Sequence, residues 1–598
     1  MKLTFLFPFF TALLITGFFC LLPPLRSCAL PKSRVSESRG ETRGETLAVV
    51  LITLLYAIAA FSHLGNTKAP QTSHVFSEGE SFTLELDGEY EISRAMARSV
   101  IGTGGYTVSL SADGEQFIDA AEFEQNYVAL LKWHELALSG RARYVRLTAW
   151  GEPELAELTL FDETGAALPW RTVSVLTDEQ SLTPEKSDFM NSSYFDEIYH
   201  ARTALEHMRG MSPYEISHPP LGKLLIALGM ALFGVTPFGW RFSGTLFGVL
   251  MLPLVYAFAR RLFGRGSVSV CCTVLLAADF MHFVQTRIAT IDTYGVFFTL
   301  AMYYFLYRWL FPESGDGLSP APAEGRSSDL AFCGICFGLG AACKWTCLYA
   351  GAGLGVLWAL HWIFRLVREK RKALGALGRN ILFCLCFFVL IPALIYYVSY
   401  CPYGAAKGLS GIGMYFRRDY LQTVLDNQGY MFRYHSGVNA THPYSSRWYQ
   451  WMLDIRPILY YLDYNGPARS SFGAFTNPIL CWGGLIGLFV LAFCALVRRD
   501  RKALFLLLGY LAQLVPWMFI SRITFAYHYF PCSVFLVLVL GYVFSLMRDN
   551  LKRWRLPVWG FAALAAAVFL FFYPALRGAE INTRTASLLY RWLPTWPF

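Results

Sequence analysis

Charged side chains are scarce in this sequence. Asp, Glu, Lys and Arg make up 16% of the 598 residues, whereas hydrophobic residues make up 55%. A water-soluble chain of this length normally carries about a quarter charged residues. Long apolar runs recur instead, which indicates an integral membrane protein.

Two kinds of cysteine pattern are also missing. Of the 14 cysteines, Cys271-Cys272 and Cys384/Cys386 lie inside apolar runs, without the spacing of metal ligands or of a disulfide framework. The net charge of +9 might suit nucleic acid, but the Lys and Arg residues form short clusters between apolar runs. Such clusters are typical of the flanks of membrane spans, so the pattern argues against nucleic acid as a partner.

The apolar runs predict a polytopic arrangement. Residues 1–30 contain an apolar run at 4–22 after Lys2, which indicates a signal anchor or extra span and leaves cleavage open. Residues 222–234 are too short to cross ~30 Å of hydrocarbon, so we expect an interfacial helix there. Eleven core spans are predicted at about 46–63, 241–259, 267–285, 291–310, 329–345, 347–364, 380–399, 477–497, 503–520, 530–547 and 557–575.

The basic clusters orient these spans. Clusters near Arg260, Arg365, Arg498 and Arg548 all fall on the cytoplasmic side when 222–234 does not span. The loops at 64–240 and 400–476 then lie outside. The predicted organisation is a first core span at 46–63, a catalytic membrane region at 188–400, an outer loop at 401–476, a four-span region at 477–575 and an outer tail at 576–598.

A stretch of different character lies in the first outer loop. Residues 75–168 alternate apolar and polar side chains, and Asp87-Gly88 and Asp113-Gly114 are typical of hairpin turns. This pattern predicts a small all-β sandwich. Its end, Arg143 to Ala149 and Leu155 to Phe161, resembles discoidin-like (galactose-binding-like) domains, in which glycan binding is common; a spacer or acceptor-docking role is equally open.

Asp196 and Glu197 are adjacent carboxylates in a polar part of this outer loop. Apolar residues at helical spacing follow them, and Ser192 and Ser193 precede them as candidate N-caps. The first turn of a helix favours ionised carboxylates, as a general base requires. The alternative is that both residues only stabilise a helix N-terminus.

Several motifs together resemble the protein O-mannosyltransferase family, a GT-C group assigned to glycosyltransferase family 39. The likeness covers about 190–310, more weakly 329–400, and again 430–545. The motifs are Asp196-Glu197, His218 to Lys223, Arg241, Gln285-Thr286-Arg287 with Ile291-Asp292-Thr293, Lys344-Trp345, His442 to Trp451, and Tyr527-His528-Tyr529.

This resemblance implies a mainly α, polytopic GT-C membrane enzyme with the β module inserted. It implies transfer of mannose from polyprenyl or dolichyl phosphate mannose to Ser/Thr hydroxyls of exported proteins. No cofactor is expected, and the partners are membrane lipid, the lipid-linked donor and an acceptor protein, which could be met at the translocon. Eukaryotic members carry a β-trefoil module in a later loop; with a discoidin-like module instead, the chain resembles a bacterial member of the plasma membrane with an extracytoplasmic site.

Three cations suit the donor phosphate. Arg241, Arg287 and Lys344 each stand at the outer end of a predicted span, where a lipid-linked phosphate would lie. Asp292 could pair with Arg287 and orient it. The alternative for each cation is a snorkelling side chain that anchors its helix.

The family implies that Asp196 is the base, and Glu197 is expected to contact acceptor backbone or sugar hydroxyls. His218 is a candidate hydrogen-bond donor to substrate, with Pro219 and Pro220 making the loop before Lys223 rigid. A divalent ion held by the two acids and His218 is the alternative, although no metal is expected in this family.

The second outer loop and the last motif are rich in aromatic residues. His442, Arg447 and Trp448, with Tyr527 and His528, could line a wall against sugar or acceptor. The alternative is an aromatic belt at the headgroup level.

Two other functions compete with mannosyl transfer to protein. One is a related GT-C enzyme that glycosylates a lipid or a cell-envelope polymer. The other is a lipid-linked sugar transporter, for which internal repeats and charges in mid-membrane are expected. The charges of interest lie at span ends instead, which favours the enzyme.

Overall fold

The computed structural model describes residues 42–313, 324–438 and 440–598. The chain divides into two compact units. The sheet unit comprises residues 63–215 and 223–243, and the membrane unit comprises residues up to 62, 216–222 and 244–598. The predicted N-terminal segment 1–30 lies outside the described residues.

The sheet unit is built on six antiparallel strands. They are β1 His74–Val75, β2 Ser81–Ser99, β3 Thr103–Ser111, β4 Ile118–Gln125, β5 Lys132–Glu152 and β6 Glu154–Phe161, in the spatial order β1-β6-β2-β5-β3-β4. Leu84, Tyr106, Val145 and Leu158 belong to its buried apolar core. The predicted β module is therefore confirmed as a small antiparallel sheet.

The strands differ from the expected sandwich in how they connect. β2 has 19 residues and β5 has 21, and they pair with each other from one end to the other. Register shifts between Glu85 and Tyr90, and between Ile92 and Arg94, bend this pair, so one continuous sheet encloses the core.

The two Asp-Gly pairs had different outcomes. Asp113-Gly114 lies between β3 and β4, with Gly114 in the left-handed region at φ +82°, as a hairpin turn requires. The turn predicted at Asp87-Gly88 is wrong, because these residues lie within β2 at its first register shift. An Asp-Gly pair favours a bulge as well as a turn, and here the strand continues.

The first described helix, α1 Arg43–Phe61, belongs to the membrane unit. Three further helices lie wholly or partly in the sheet unit, and the first of them is α2 Glu197–Met208. α3 Leu221–Phe233 and α4 Pro237–Phe263 begin in or near the sheet unit, and α4 continues into the membrane unit. α3 has the 13 residues that the sequence led us to expect of an interfacial helix.

The membrane unit is helical along nearly all of its length. After α4 come α5 Gly266–Ala277, α6 Phe280–Gln285, α7 Asp292–Leu310, α8 Ser327–Cys343, α9 Thr346–Glu369, α10 Leu374–Leu385, α11 Ile391–Ser399, α12 Cys401–Ala405, α13 Arg418–Gly437, α14 Trp448–Met452, α15 Pro478–Leu496, α16 Arg501–Met518, α17 Phe530–Asn550, α18 Arg555–Leu576 and α19 Thr583–Tyr590. A π-helical turn at Cys386–Leu390 joins α10 to α11.

Helices lie at each of the eleven predicted span positions, but that all eleven cross the membrane stays a prediction. Among the described residues, six helical stretches are long and apolar enough to cross a membrane, and three shorter apolar helices accompany them. One predicted span, 267–285, is broken into α5 and α6 at Asp279, whose carboxylate accepts hydrogen bonds from His282 N and Asn477 N. A buried carboxylate with several donors stabilises such a break.

A second sheet in the membrane unit was not predicted. It contains β7 Ile458–Asn465, β8 Ala468–Ala474 and β9 Ile581–Asn582. β9 precedes α19, so the sheet joins the second outer loop to the predicted outer tail.

Candidate active site

Asp196 is the N-cap residue of α2 in the sheet unit. Its backbone carbonyl accepts from Tyr199 N and His200 N, but within the described part of the chain its carboxylate makes no capping bond to the first turn. Phe195 before it has φ +48°, a conformation that is costly for a bulky residue and often marks functional sites. The side chain of Asp196 is thus presented by a strained turn and is not used as a helix cap.

Ser192 and Ser193 are not the N-caps that the sequence suggested. Ser192 Oγ accepts from Trp133 N at 3.0 Å, and Ser193 Oγ donates to the carbonyl of Leu130 at 2.6 Å. Both hydroxyls therefore fasten the segment before Asp196 to the start of β5 and the loop preceding it. This loop is a rigid support for the carboxylate.

Glu197 has a different environment from its neighbour. Its side chain and that of Arg241 are fully buried, and the guanidinium donates from Nε to Oε1 and from Nη2 to Oε2, each at 2.7 Å. Trp240 Nε1 donates to the same carboxylate at 3.1 Å. Paired arginine–carboxylate bonds of this kind are the strong, shape-specific type.

This pair bears on two predicted roles. Glu197 was expected to contact the acceptor, but both of its carboxylate oxygens are already bonded. Arg241 was expected to bind phosphate, but it is 0% exposed and also donates to the carbonyls of Leu64, Phe189 and Ser192. A buried ion pair that loses one partner is strongly destabilised, so this geometry favours a structural role for both residues, and their predicted contacts with substrate stay predictions.

The same pair weighs against the predicted alternative of a divalent ion on the two acids and His218. Glu197 would have to leave Arg241 to become a ligand. The one group of acids in the described ranges close enough to hold an ion is Glu157, Asp178 and Glu179, elsewhere in the sheet unit.

Lys223 is also a structural cation. It is 0% exposed, and its Nζ donates to Glu215 Oε2 at 2.5 Å and to the Glu215 carbonyl at 2.7 Å. The pair closes the loop that carries the His-Pro-Pro motif. Pro219 and Pro220 are both buried, as expected of a rigid loop.

His218 lies in the membrane unit beside a residue that the sequence did not single out. His435 of α13 is 5.1 Å from it, measured between ring centroids, and bonds to the Ser217 carbonyl through Nε2 at 2.8 Å. Burial, together with the nearby His218, lowers the pKa of His435 to about 4. Asn427 of the same helix donates to the Ile216 carbonyl, so α13 fixes the loop that carries His218.

Lys344 is the best-placed cation for a donor phosphate. It caps the end of α8, is 8% exposed, and donates from Nζ to Asp292 Oδ1 at 2.6 Å. The Tyr527 ring lies 5.5 Å from the same nitrogen. Asp292 therefore pairs with Lys344, and its expected pairing with Arg287 is wrong.

Arg287 has a mainly structural environment. Its Nε donates to the carbonyl of Ala60 and its Nη2 to that of Ser62, at 3.0 and 2.8 Å. These carbonyls end α1, where a cation is favourable. The guanidinium also lies over the Phe283 ring at 4.7 Å. Phosphate binding by Arg287 stays a prediction.

A pocket in the membrane unit is lined in part by Asp292, the ion-pair partner of Lys344. Asp292, Thr299, Tyr349, Gln513, Trp517 and His528 are among the residues that line it. The Trp517 ring centroid lies 4.2 Å from that of His528, and the Trp451 ring is stacked on His528 at 5.9 Å. Gln513 and Trp517 were missed, although a glutamine inside an apolar span was a usable signal.

The His442–Trp448 motif is joined to the loop that leads to Tyr527. Arg447 Nη1 donates to the carbonyls of Ile520 and Ser521, and Ser446 and Thr524 exchange two hydrogen bonds. His442 stacks edge-on against Phe525, while Trp448 is half-buried at the start of α14. Arg447 thus shapes the loop; its contact with substrate is untested.

The candidate site residues are divided between the two units. The sheet unit holds the half-buried carboxylate of Asp196, and the membrane unit holds a lysine and aromatic rings beside a pocket. The mainly α polytopic fold and these groups suit a membrane-embedded glycosyltransferase.

Comparison with known proteins identifies the family. The model for dolichyl-phosphate-mannose-protein mannosyltransferase matches residues 185–402, and that for the C-terminal four-helix membrane region of protein O-mannosyltransferase matches 420–596. Together they cover well over half of the chain. The protein belongs to the protein O-mannosyltransferase family.

Individual relatives agree with this assignment. Polyprenol-phosphate-mannose–protein mannosyltransferase of Mycobacterium tuberculosis is 28% identical over 425 residues, covering 64% of this chain and 81% of the relative. The enzyme of that name from Mycolicibacterium smegmatis is 28% identical over 496 residues, covering 73% and 94%.

A solved structure shares the fold. The protein O-mannosyltransferase complex of Saccharomyces cerevisiae bound to the sugar donor includes a chain with TM-score 0.58 and 14% identity, covering 68% of this chain and 89% of that one. This confirms the predicted fold class. The family matches begin at residue 185, so the discoidin-like resemblance of the sheet stays a prediction.

Proposed function

We propose that this protein transfers mannose from a polyprenyl phosphate mannose to Ser/Thr hydroxyls of exported proteins. Family membership and the similar mycobacterial enzymes support this assignment. The proposed chemistry is carried by a contrast between the two acids. Glu197 is committed to its ion pair with Arg241, whereas the carboxylate of Asp196 does not cap α2.

Asp196 would act as the base. Its carboxylate takes the proton of the acceptor hydroxyl as that oxygen bonds to the anomeric carbon of mannose. The bond from this carbon to the phosphate oxygen breaks, and polyprenyl phosphate leaves with the electron pair. A strained, well-braced turn suits this role, because misplacement of a base by about 1 Å can cost ~10² in rate.

Lys344 would hold the phosphate of the donor. Its ammonium has one ion-pair partner, Asp292, and a phosphate oxygen would add a second anionic contact. A cation at the leaving group stabilises the charge that develops there, so no general acid is required. Asp292 and the Tyr527 ring would orient the ammonium.

A metal ion is not needed for this mechanism. Lys344 supplies the positive charge, and Glu197 is occupied by Arg241. We propose that the enzyme works in a bacterial plasma membrane with its site on the extracytoplasmic face, where exported acceptors emerge from the translocon. The placement of basic clusters supports this orientation.

The direct test uses purified protein, polyprenyl phosphate mannose and a peptide that contains one threonine. Mass spectrometry should find a hexose on the threonine, and an alanine-for-threonine peptide should stay unmodified. Asp196→Asn serves as the matched inactive variant. Hexose on an added lipid or polymer, with none on any peptide, would overturn the proposed acceptor class.

A further inference from the structure

Three tyrosines lie next to one another around the start of α2, the helix that begins directly after Asp196. The Tyr127 ring lies 6.3 Å from that of Tyr199 at an interplanar angle of 18°, and the Tyr199 ring lies 6.4 Å from that of Tyr214 at 2°. The three nearly parallel rings all belong to the sheet unit. We refer to them as the tyrosine row.

The row comes from three separate segments. Tyr127 lies in the loop between β4 and β5, Tyr199 lies in the first turn of α2, and Tyr214 lies in the loop after α2. Tyr127 is 47% exposed and Tyr214 is 46% exposed. Large aromatic rings exposed together are costly for a surface that binds nothing.

The row is held in place by buried polar contacts. Arg202 lies 3.9 Å over the Tyr214 ring and donates from Nε to Glu206 Oε1 at 2.7 Å. Glu206 Oε2 accepts from Tyr214 N and Thr203 Oγ1. The far end of the row is therefore rigid, and its acid is already bonded.

The near end of the row is tied to the turn that presents Asp196. Ser193 N donates to the Leu131 carbonyl and Ser193 Oγ to that of Leu130, in the loop that carries Tyr127. Tyr199 is three residues after Asp196, about 4.5 Å along the helix axis. Any chain lying on the row thus passes close to the proposed base.

We infer that the tyrosine row docks the acceptor polypeptide beside its Ser/Thr residue, in an extended conformation. This inference rests on the proposed function. Adjacent rings lie 6.3 and 6.4 Å apart, and each spacing matches roughly two residues of extended chain at ~3.3 Å each. The row would therefore contact the residues that flank the modified hydroxyl.

The chemistry around the row favours a polypeptide of low charge. Val128 and Met211, 43% and 45% exposed, come from the same two loops and add apolar surface. A sugar-specific site would need several polar groups to fix hydroxyls, whereas proline and apolar side chains need ring faces. We expect acceptors with uncharged, apolar residues next to the threonine.

The test compares Tyr127→Ala with Ile118→Ala in the full-length protein. Ile118 is 75% exposed at the opposite end of β4 and serves as the matched control. We expect Tyr127→Ala to raise the peptide KM by about tenfold, with kcat and the donor KM unchanged. Tyr127→Phe should restore the peptide KM, and Ile118→Ala should equal wild type.

Direct peptide binding separates this inference from the proposed function. Binding of a labelled Ala-Pro-Thr peptide to the Asp196→Asn background should weaken when Tyr127→Ala is added. If binding weakens but no preparation transfers mannose, the function fails and the docking row stands. Equal peptide KM and equal peptide binding in Tyr127→Ala and wild type would overturn the docking role of the tyrosine row. Displacement of the labelled peptide by a mannose oligosaccharide, but not by a threonine-free peptide, would also overturn it.

Discussion

Glu197 and Arg241 form a two-pronged ion pair that is closed to solvent on both sides. The residue next to Glu197 in sequence, Asp196, stays outside this pair and is half-buried. Two adjacent carboxylates therefore have separate tasks. One stabilises the fold around the turn, and the other is presented by that turn.

Asp196→Asn should abolish most transfer without unfolding the protein. Asn keeps the size of the side chain but takes no proton, so we expect transfer to fall by about 10²–10⁴-fold. Expression, thermal midpoint and donor binding should stay near wild type. Wild-type turnover in this variant would show that Asp196 is not the base.

Glu197→Gln should instead damage stability. Loss of the negative charge leaves Arg241 buried and uncompensated, which costs about 3–5 kcal/mol. We expect a lower thermal midpoint in detergent and a low yield of folded protein. A stable Glu197→Gln protein with impaired peptide KM would return Glu197 to a role at the substrate.

Lys344→Gln and Arg287→Gln should differ in kind. The first removes a charged contact to phosphate, and we expect donor affinity to fall by ~1.5–3 kcal/mol, with some loss of stability because Asp292 loses its partner. The second removes two bonds to the end of α1, so we expect lower thermal stability and a smaller change in donor affinity. Isothermal titration with donor lipid and thermal scans on both variants distinguish the two.

His207 should make the protein sensitive to mild acid. It lies on α2, 8% exposed, and its burial, helped by the nearby Lys223, lowers its pKa to about 3. In the unfolded chain this histidine titrates near pH 6.5. The stability that the folded state gains by keeping His207 neutral is therefore fully present above pH 6.5 and is lost as the pH falls toward 3. His207→Gln should reduce the fall in thermal midpoint between pH 7 and pH 5; an unchanged fall would contradict this.

Thiol labelling of intact cells tests the orientation. Ser212→Cys is exposed in the sheet unit and should react with a membrane-impermeant maleimide, whereas the exposed Lys552→Cys should react only after lysis. Position 194 would be a poor probe because Tyr194 is only 6% exposed. Labelling of Lys552→Cys in intact cells would reverse the topology.

The membrane helices were predictable because each leaves a long apolar run. Hydropathy placed α15 at 477–497, and the helix is Pro478–Leu496. The second sheet was missed because β7 lies in a loop whose many aromatic residues also fit a headgroup belt. The third strand, β9, pairs with β8 from more than a hundred residues further along the chain, so no local pattern links them.

The site was predictable as a set of residues, but their roles were not. The sequence shows Asp196 and Glu197 as equals, because the partner that separates them, Arg241, is 44 residues away. The same distance effect assigned Asp292 to nearby Arg287, whereas the structure pairs it with Lys344. Charge pairing across helices follows three-dimensional packing, which spacing in one chain does not record.

The bonds from Arg287 to the carbonyls of Ala60 and Ser62 bear on how chimaeras of this enzyme are made. They make α1 a partner of Arg287, a residue of the Gln285-Thr286-Arg287 motif, and not an interchangeable anchor. A foreign leader or purification tag can be joined ahead of Thr42, whose side chain caps that helix. A fusion junction placed after α1 would replace this helix, and with it the carbonyl groups that accept hydrogen bonds from Arg287.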